Sequence, residues 1–305
     1  MTLLHWTLPL PAGYRRDDVI TFHSRDGEAV AEQVTPAGLR KGILVQGVPV
    51  VLDVAFTDAA AVCRAEIDGD GVGDLETPLH GALLNILGLR IDPQPFAQLA
   101  ANDPLLAPLV SVNPGLRIVQ SASPFEALTW AIIGQQINLP FAIALRRTFI
   151  LQAGCRHSCG LWCYPEARDV ARLSVEELTS RKFSRAKAET VLRLARLVDE
   201  GELSLELPPS GDVAAMSQAL LAVKGIGPWT VNYALLRGYG YADCSLHGDV
   251  AIRAALQKLL GEEAKPDMAR TEQWLRQYAP HRTMAAAHLW ASLHAPAKNN
   301  SPTRE

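Results

Sequence analysis

The stretch "VKGIGPWTVNYALLRG" (223–238) carries residue types whose spacing suggests chemistry. Gly225 and Gly227 can take backbone angles that residues with a Cβ resist, so helix, short turn and helix can meet tightly there. Pro228 suits the first turn of the second helix, where its missing N–H is not needed. The amides at that helix start face outward with the positive end of the helix dipole behind them, a place that binds phosphate. The alternative is a plain helix–helix corner, the commoner use of such a glycine pair when it stands alone. Trp229 and Tyr233 are four apart and share a helix face, an arrangement that is usually core packing. Asp249 in "LHGDVAIR" follows a glycine and opens another helix, where its carboxylate would accept the first free amides as an N-cap. On that evidence alone, capping is its role.

Two nucleotide loops are excluded. A dinucleotide fingerprint needs a third glycine where Thr230 stands and a strand where "DVAAMSQALLAV" reads as helix. No phosphate-loop pattern of the G-x-x-x-x-G-K-[ST] type occurs anywhere. Three of the five cysteines fall in "CRHSCGLWC" as Cys155, Cys159 and Cys163 around His157. Zinc sites show two close ligand pairs and this cluster has no second one, so loop cysteines in a reducing cytosol are the better account. Between Arg181 and Arg196 stand six Lys/Arg (Arg181, Lys182, Arg185, Lys187, Arg193, Arg196) against one acid, Glu189. By charge alone that is a solvated helix face.

The elements that must position these residues divide into two regions. Residues 1–91 carry the strand signal, in "DVITFHS" and in "GILVQGVPVVLDVAF", both rich in β-branched residues; "DGDGVGD" (68–74) reads as a loop. From Asp92 the pattern is helical. "SPFEALTWAIIGQQI" opens on a Ser-x-x-Glu cap formed by Ser123 and Glu126. "SVEELTS", "AKAETVLRLARLVDEG", "GDVAAMSQALLAV", "VAIRAALQKLLG", "DMARTEQWLRQYAP" and "TMAAAHLWASLHA" continue it, and residues 296–305 form a frayed polar tail. The fold class expected is α+β: an N-terminal antiparallel-sheet domain (1–91), then an all-α region (92–295). With 305 residues, 48% hydrophobic, 20% charged and a net charge of −3, the composition is that of a soluble globular protein. No apolar run reaches the roughly 18–20 residues of a membrane helix. The basic pair Arg15–Arg16 follows the first apolar stretch, the wrong order for a secretory signal, so a cytoplasmic protein without membrane partners is expected.

Several stretches, in order, resemble the helix-hairpin-helix superfamily of DNA glycosylases, and most closely its bacterial DNA-3-methyladenine glycosylase II (AlkA-type) branch. These are "VKGIGPWTVNY", the following "GD" at a helix start, "SPFEALTWAIIGQQI", "SRAKAETVLRLARL" and "HRTMAAAHLW". The resemblance covers residues 110–295 and, more weakly, the sheet region. It implies two helical subdomains flanking an active-site cleft and a monomer acting on damaged duplex DNA, at the nucleoid.

The resemblance also assigns roles. The catalytic carboxylate matches Asp249, which would stabilise positive charge building on the deoxyribose and orient or deprotonate water. Trp229, Tyr233 and Trp290 match pocket aromatics that hold an electron-poor, often cationic, base by stacking and cation–π attraction. Members that also cut the strand carry a Schiff-base lysine where this chain has Trp229, which implies base removal without a lyase step. No cysteine follows Cys244, so the four-cysteine iron–sulfur pattern of other branches is missing, and no cofactor is required. Gln136 matches the wedge that fills the gap left by the extruded nucleotide, where the best-known branch has leucine; Val250 stands where tyrosine is usual. The hairpin would grip a phosphate through amides around Gly225, Gly227 and Trp229. Carbonyls matching Leu221, Val223 and Gly225 can hold a monovalent cation (Na or K). Lys182, Arg185 and Lys187 would add backbone contacts. Activity on deaminated or oxidised bases, and a non-catalytic DNA-binding module, are the alternatives.

Overall fold

The computed structural model describes residues 2–69, 73–207 and 212–293. Residues 70–72 of the "DGDGVGD" stretch and the tail 296–305 lie outside the described residues. Strands β1 (Thr2–Pro9), β2 (Glu32–Thr35), β3 (Gly38–Val45), β4 (Val48–Phe56) and β5 (Ala60–Ile67) form an antiparallel sheet in the order β1-β5-β4-β3-β2. Helices α1 (Arg16–His23), α2 (Glu76–Ile86), α3 (Gln94–Ala100), α4 (Leu106–Val112), α5 (Pro124–Gly134) and α6 (Leu139–Ala153) come next in chain order. A short hairpin, β6 (Cys155–Arg156) and β7 (Trp162–Cys163), follows. Then come α7 (Ala167–Ala171), α8 (Val175–Thr179), α9 (Arg185–Asp199), α10 (Val213–Leu221), α11 (Pro228–Tyr239), α12 (Val250–Leu260), α13 (Met268–Arg276) and α14 (Arg282–Ser292). The expected α+β class, sheet first and helices after, is what the chain adopts.

The sheet is built as its pattern requires. In β5, Ala61, Cys63, Ala65 and Ile67 alternate inward and pack with Val50, Leu52 and Val54 of β4 and with Leu79, Leu83 and Ile86 of α2. Each large apolar side chain so buried contributes about 1.5–3 kcal/mol. Between β3 and β4 the turn residues Gln46 and Gly47 both have positive φ, 54° and 79°, as a two-residue primed hairpin demands. Glu166 accepts from both of their amides, at 2.8 and 2.7 Å.

Two local expectations are corrected. "DVITFHS" is not a strand but most of α1, with Asp17 and Asp18 in its first turn and Val19 and His23, four apart, buried. Its β-branched residues favour a strand locally, but the buried i,i+4 stripe decides for helix. "CRHSCGLWC" is not a free loop: it forms the β6–β7 hairpin, docked on the sheet. Tyr164 N–H donates to the Gly42 carbonyl at 3.0 Å and Leu44 N–H to the Tyr164 carbonyl at 3.1 Å. A Cβ on Gly42 would lie 2.1 Å from the Trp162 carbonyl oxygen, so this approach needs glycine.

The molecule divides into two compact units, residues 1–92 with 117–241 and residues 93–116 with 242–305. The sheet thus shares a unit with α5 to α11, which the linear division near residue 92 separates from it. A buried ion network explains why. Lys41 of β3, with no exposed surface, pairs with Glu32 of β2 (2.5 Å) and Glu126 of α5 (2.8 Å). Arg146 of α6 pairs with the same two carboxylates at 3.0 and 2.8 Å. In the second unit, Phe96 stacks on His288 at 5.5 Å and the Tyr278 hydroxyl donates to Asp103 at 2.8 Å. Among the described residues no helix is long and apolar enough to cross a membrane.

Candidate active site

The hairpin forms where the glycines stand. α10 ends at Leu221, α11 begins at Pro228, and Gly225 between them has φ +98°. A Cβ there would sit 2.1 Å from Thr190 Oγ1 of α9, so the turn is glycine-dependent twice over. Gly227, the N-cap of α11, has φ −107° and open space around a would-be Cβ. Two side chains brace the turn: Gln135, which sequence reasoning did not single out, and Arg193 of the basic run. Gln135 Nε2 donates to the Gly225 carbonyl (3.2 Å) and to Thr230 Oγ1 (3.0 Å), and Arg193 donates to the Lys224 carbonyl (3.0 Å). Gly225→Ala is therefore expected to cost about 1–3 kcal/mol in backbone strain, before any displacement of Thr190. Gly227→Ala should stay within about 1 kcal/mol. Urea unfolding of the two variants checks this, and equal losses would count against the asymmetry.

On α11, Trp229 and Tyr233 face each other with ring centroids 5.2 Å apart. Both are partly exposed. Trp130 of α5, 9% exposed, donates its indole N–H to the Tyr233 hydroxyl at 2.8 Å. The face of Trp130 carries the Arg25 guanidinium at 5.2 Å, and Arg25 also lies 3.8 Å from the centroid of Phe22. The sequence places Trp130 inside the α5 motif, but nothing in the spacing links it or Arg25 to Tyr233.

In the second unit, Asp249 is the N-cap of α12. One carboxylate oxygen, Oδ1, accepts the amides of Ala251 (2.9 Å) and Ile252 (3.0 Å) and the indole N–H of Trp290 (3.2 Å). Asp249 and Trp290 are thus brought together from α12 and α14. Three N–H donors and the positive helix end fix one carboxylate in place beside an aromatic ring. Val250, next in sequence, is 63% exposed.

Gln136 sits exposed in the turn between α5 and α6 with φ +56°, followed by Asn138, whose side chain caps α6. The basic run is not one uniform face. Lys182 precedes α9 with φ +72°, exposed. Arg185 pairs with Glu176 at 3.4 Å and Glu189 at 3.8 Å. Lys187 donates to the Ile133 carbonyl at 2.7 Å, and burial pushes its pKa down. Lys187 therefore braces α9 against α5 rather than standing in solvent. The Val223 carbonyl accepts from Ile226 N–H at 3.0 Å, and that of Gly225 from Gln135; Leu221 ends α10.

The groups of the cysteine hairpin have partners within the fold. His157 is engaged at both ring nitrogens, by the Glu66 carbonyl and by the Cys159 amide, each at 3.1 Å. The Glu66 carboxylate, whose ligand atom lies within 4.8 Å of those of His157 and Cys159, is held by Arg40 and Arg64, and Asp68 Oδ1 lies 3.4 Å from His157 Nε2. Burial pushes the Cys163 thiol up to about 12.

A sequence model of the HhH-GPD superfamily of base excision DNA repair proteins matches residues 129–281, from within α5 to the start of α14. The chain belongs to this superfamily. The match spans the α10–α11 hairpin and Asp249, while the HhH-GPD model leaves the five-stranded sheet outside. A DNA-3-methyladenine glycosylase of Bacillus subtilis (strain 168) is 31% identical over 206 residues, 67% of this chain and 68% of that relative. Solved structures resemble the fold over nearly the whole chain. A 3-methyladenine DNA-glycosylase from Archaeoglobus fulgidus has a TM-score of 0.75 at 20% identity, over 93% of this chain and 97% of that one. An 8-oxoguanine glycosylase/lyase from Clostridium acetobutylicum has a TM-score of 0.71 at 16% identity, over 92% of each chain. At these identities the likeness shows the fold alone.

Proposed function

We propose that this HhH-GPD chain is a monofunctional DNA glycosylase that excises alkylated bases, such as 3-methyladenine and 7-methylguanine, from duplex DNA and leaves an abasic site. The observation that carries this is the fixed carboxylate of Asp249, with Ala251, Ile252 and Trp290 all donating to Oδ1. Cleaving an N-glycosidic bond builds positive charge on the deoxyribose, and a preorganised carboxylate stabilises that charge and orients the attacking water. Capping and catalysis are compatible, because the amides that make Asp249 a cap also hold it in one position.

The base must first leave the duplex, at a cost of a few kcal/mol. Gln136, exposed at a turn tip, fills the gap in this reading, and Trp229 with Tyr233 offers a stacking surface to the extruded base. The turn at Gly225 and Gly227 grips a backbone phosphate through the amides at the start of α11. Leu221, Val223 and Gly225 would hold the monovalent cation that the resemblance implies. The Val223 and Gly225 carbonyls each already accept one N–H, and a carbonyl has two lone pairs, so these atoms fit a weakly held ion. Lys182 and Arg185 add sequence-independent contacts, so duplex binding weakens with salt.

The test is base release from a panel of duplexes carrying 3-methyladenine, 7-methylguanine, hypoxanthine, 1-methyladenine and uracil. Release of an alkylated base supports the reading; release of uracil or hypoxanthine alone favours a deaminated-base enzyme. Binding without any release leaves a DNA-binding module. Trp229 offers no amine for a Schiff base, so borohydride should trap no covalent adduct with damaged DNA. A trapped adduct would overturn the monofunctional assignment.

A further inference from the structure

Three groups that ligate metals meet where the β6–β7 hairpin docks on the sheet. The Glu66 carboxylate of β5, the His157 imidazole and the Cys159 thiol offer ligand atoms that all lie within 4.8 Å of one another. His157 is 2% exposed. Cys159 is exposed in the turn that Gly160 N–H closes onto the His157 carbonyl at 2.8 Å. Local spacing shows one close ligand pair here, His157 and Cys159. The third ligand comes from β5, 91 positions before His157, so the sequence pattern does not reveal it.

The surrounding bonds orient these groups toward an ion. The Cys159 amide donates to His157 Nδ1, which makes Nδ1 the lone-pair nitrogen and leaves the proton on Nε2. Nε2 faces the Glu66 carbonyl at 3.1 Å and Asp68 Oδ1 at 3.4 Å. Metal-ligating histidines have this arrangement, with one nitrogen for the ion and the other N–H given to a carbonyl or carboxylate. Asp68 is fixed in turn by the Ser158 hydroxyl, which donates to Oδ1 at 2.6 Å. Arg64 and Arg40 each hold one oxygen of Glu66, at 2.7 and 3.2 Å, and a lone pair remains on each oxygen. Asp53 shares both arginines, at 3.0 and 3.6 Å. Two arginines against the carboxylates of Asp53, Glu66 and Asp68 leave one negative charge, and a Cys159 thiolate adds a second. A divalent cation neutralises both.

We propose that Glu66, His157 and Cys159 bind one divalent cation of the zinc class, with water as the fourth ligand and Asp68 as the positioning residue behind His157. Thiolate and imidazole select such an ion over magnesium and calcium, which take oxygen ligands. Tetrahedral bonds of about 2.0–2.3 Å set ligand atoms about 3.3–3.8 Å apart, so the three groups close by about an ångström. Cys159, exposed in a turn, is the one free to move. On binding, the thiol proton passes to solvent and the metal takes the Nδ1 lone pair from the Cys159 amide. The ion pins the hairpin to β5. None of these residues belongs to the proposed glycosylase site, so the metal site stands apart from that reading.

The experiment titrates the full chain, stripped with a chelator, with Co²⁺ as a spectroscopic substitute for Zn²⁺. One equivalent should give thiolate-to-cobalt charge-transfer absorption and the intense visible bands of four-coordinate cobalt. Zn²⁺ should abolish both, and Mg²⁺ or Ca²⁺ should not. Cys159→Ser should lose the charge-transfer absorption, whereas Cys155→Ser keeps it. Asp68→Asn should keep the absorption but weaken cobalt binding about 10–100-fold, the scale of a partner one shell out, and Glu66→Gln should weaken it more. Zn²⁺ should also raise the urea midpoint of the unsubstituted chain and leave that of Cys159→Ser unchanged. Absence of cobalt–thiolate absorption, or absorption that survives in Cys159→Ser, overturns the proposal. Unchanged affinity in Asp68→Asn overturns the role of Asp68.

Discussion

Asp249→Asn is expected to lower the single-turnover rate of base release by about 10²–10³-fold, the scale of removing one preorganised charge or donor from a transition state. Duplex affinity stays within a few fold. The asparagine side-chain oxygen can still accept from Ala251, Ile252 and Trp290, so the cap and the start of α12 survive. What is lost is the negative charge, which matters only when the sugar becomes positive. A purely structural Asp249 would give the opposite pattern, with full activity in Asp249→Asn and a stability loss in Asp249→Ala. Rapid-quench measurement of base release, with fluorescence anisotropy for affinity, separates the two. Retained turnover in Asp249→Asn would sink the catalytic assignment.

The second large effect is on stability. Glu126→Ala is expected to lower the unfolding free energy by about 3–5 kcal/mol, because it leaves Lys41 and Arg146 buried with one carboxylate fewer. Both cations lie in the interior, at 1% and 11% side-chain exposure, so water cannot take over from Glu126. For Glu126 burial works against ionisation, but Lys41 and then Arg146 overcome it and hold the carboxyl below its ordinary range. Glu32 is likewise held well below that range, with Arg146 and Lys41 outweighing burial. Carboxylates with depressed folded-state pKa values stabilise the fold above the unfolded value, about 4.3 for glutamate, and that stabilisation is lost as pH falls through the folded values. The urea midpoint should therefore drop steeply below about pH 4 in the unsubstituted chain and less steeply in Glu126→Ala. His23, whose pKa burial lowers despite its bond to Glu32, adds a smaller loss that begins as pH falls past the unfolded histidine value of about 6.5. A Glu126→Ala midpoint equal to that of the unsubstituted chain would show the network to be dispensable.

How much was legible in the sequence depends on how far apart the partners stand. The caps were readable, because a cap is a bond between residues two or three apart: Ser123 to Glu126, Asp212 to Ala214 and Ala215, and Asp249 to Ala251 and Ile252. The expected Ser123–Glu126 box is half realised. The Glu126 carboxylate turns to the amide of Ala122 and to the buried cations instead. The α10–α11 turn was readable for the same reason as the caps, since Gly225 and Pro228 limit the backbone locally. α1 was not: β-branched Val19, Ile20 and Thr21 argue for a strand, and what makes them helical is the burial of Val19 and His23. The hairpin of the three cysteines was missed because its partner, Gly42, is more than a hundred residues away in the chain.

The sequence by itself determined the two devices of the proposed site, a glycine turn before one helix and an acid at the start of another. Both are set by backbone angles and bonds within one turn of helix. It also determined the class of fold, through the change from period-two strands to helical spacing. Only the tertiary structure decided what surrounds those devices. It joined Trp130 to Tyr233, laid Arg25 over the Trp130 ring, gave Trp290 to Asp249 and turned Lys187 inward. The partners stand between 41 and 105 positions apart in the chain and meet only because packing closes the loops between them. Residue type and local spacing do not encode such distances.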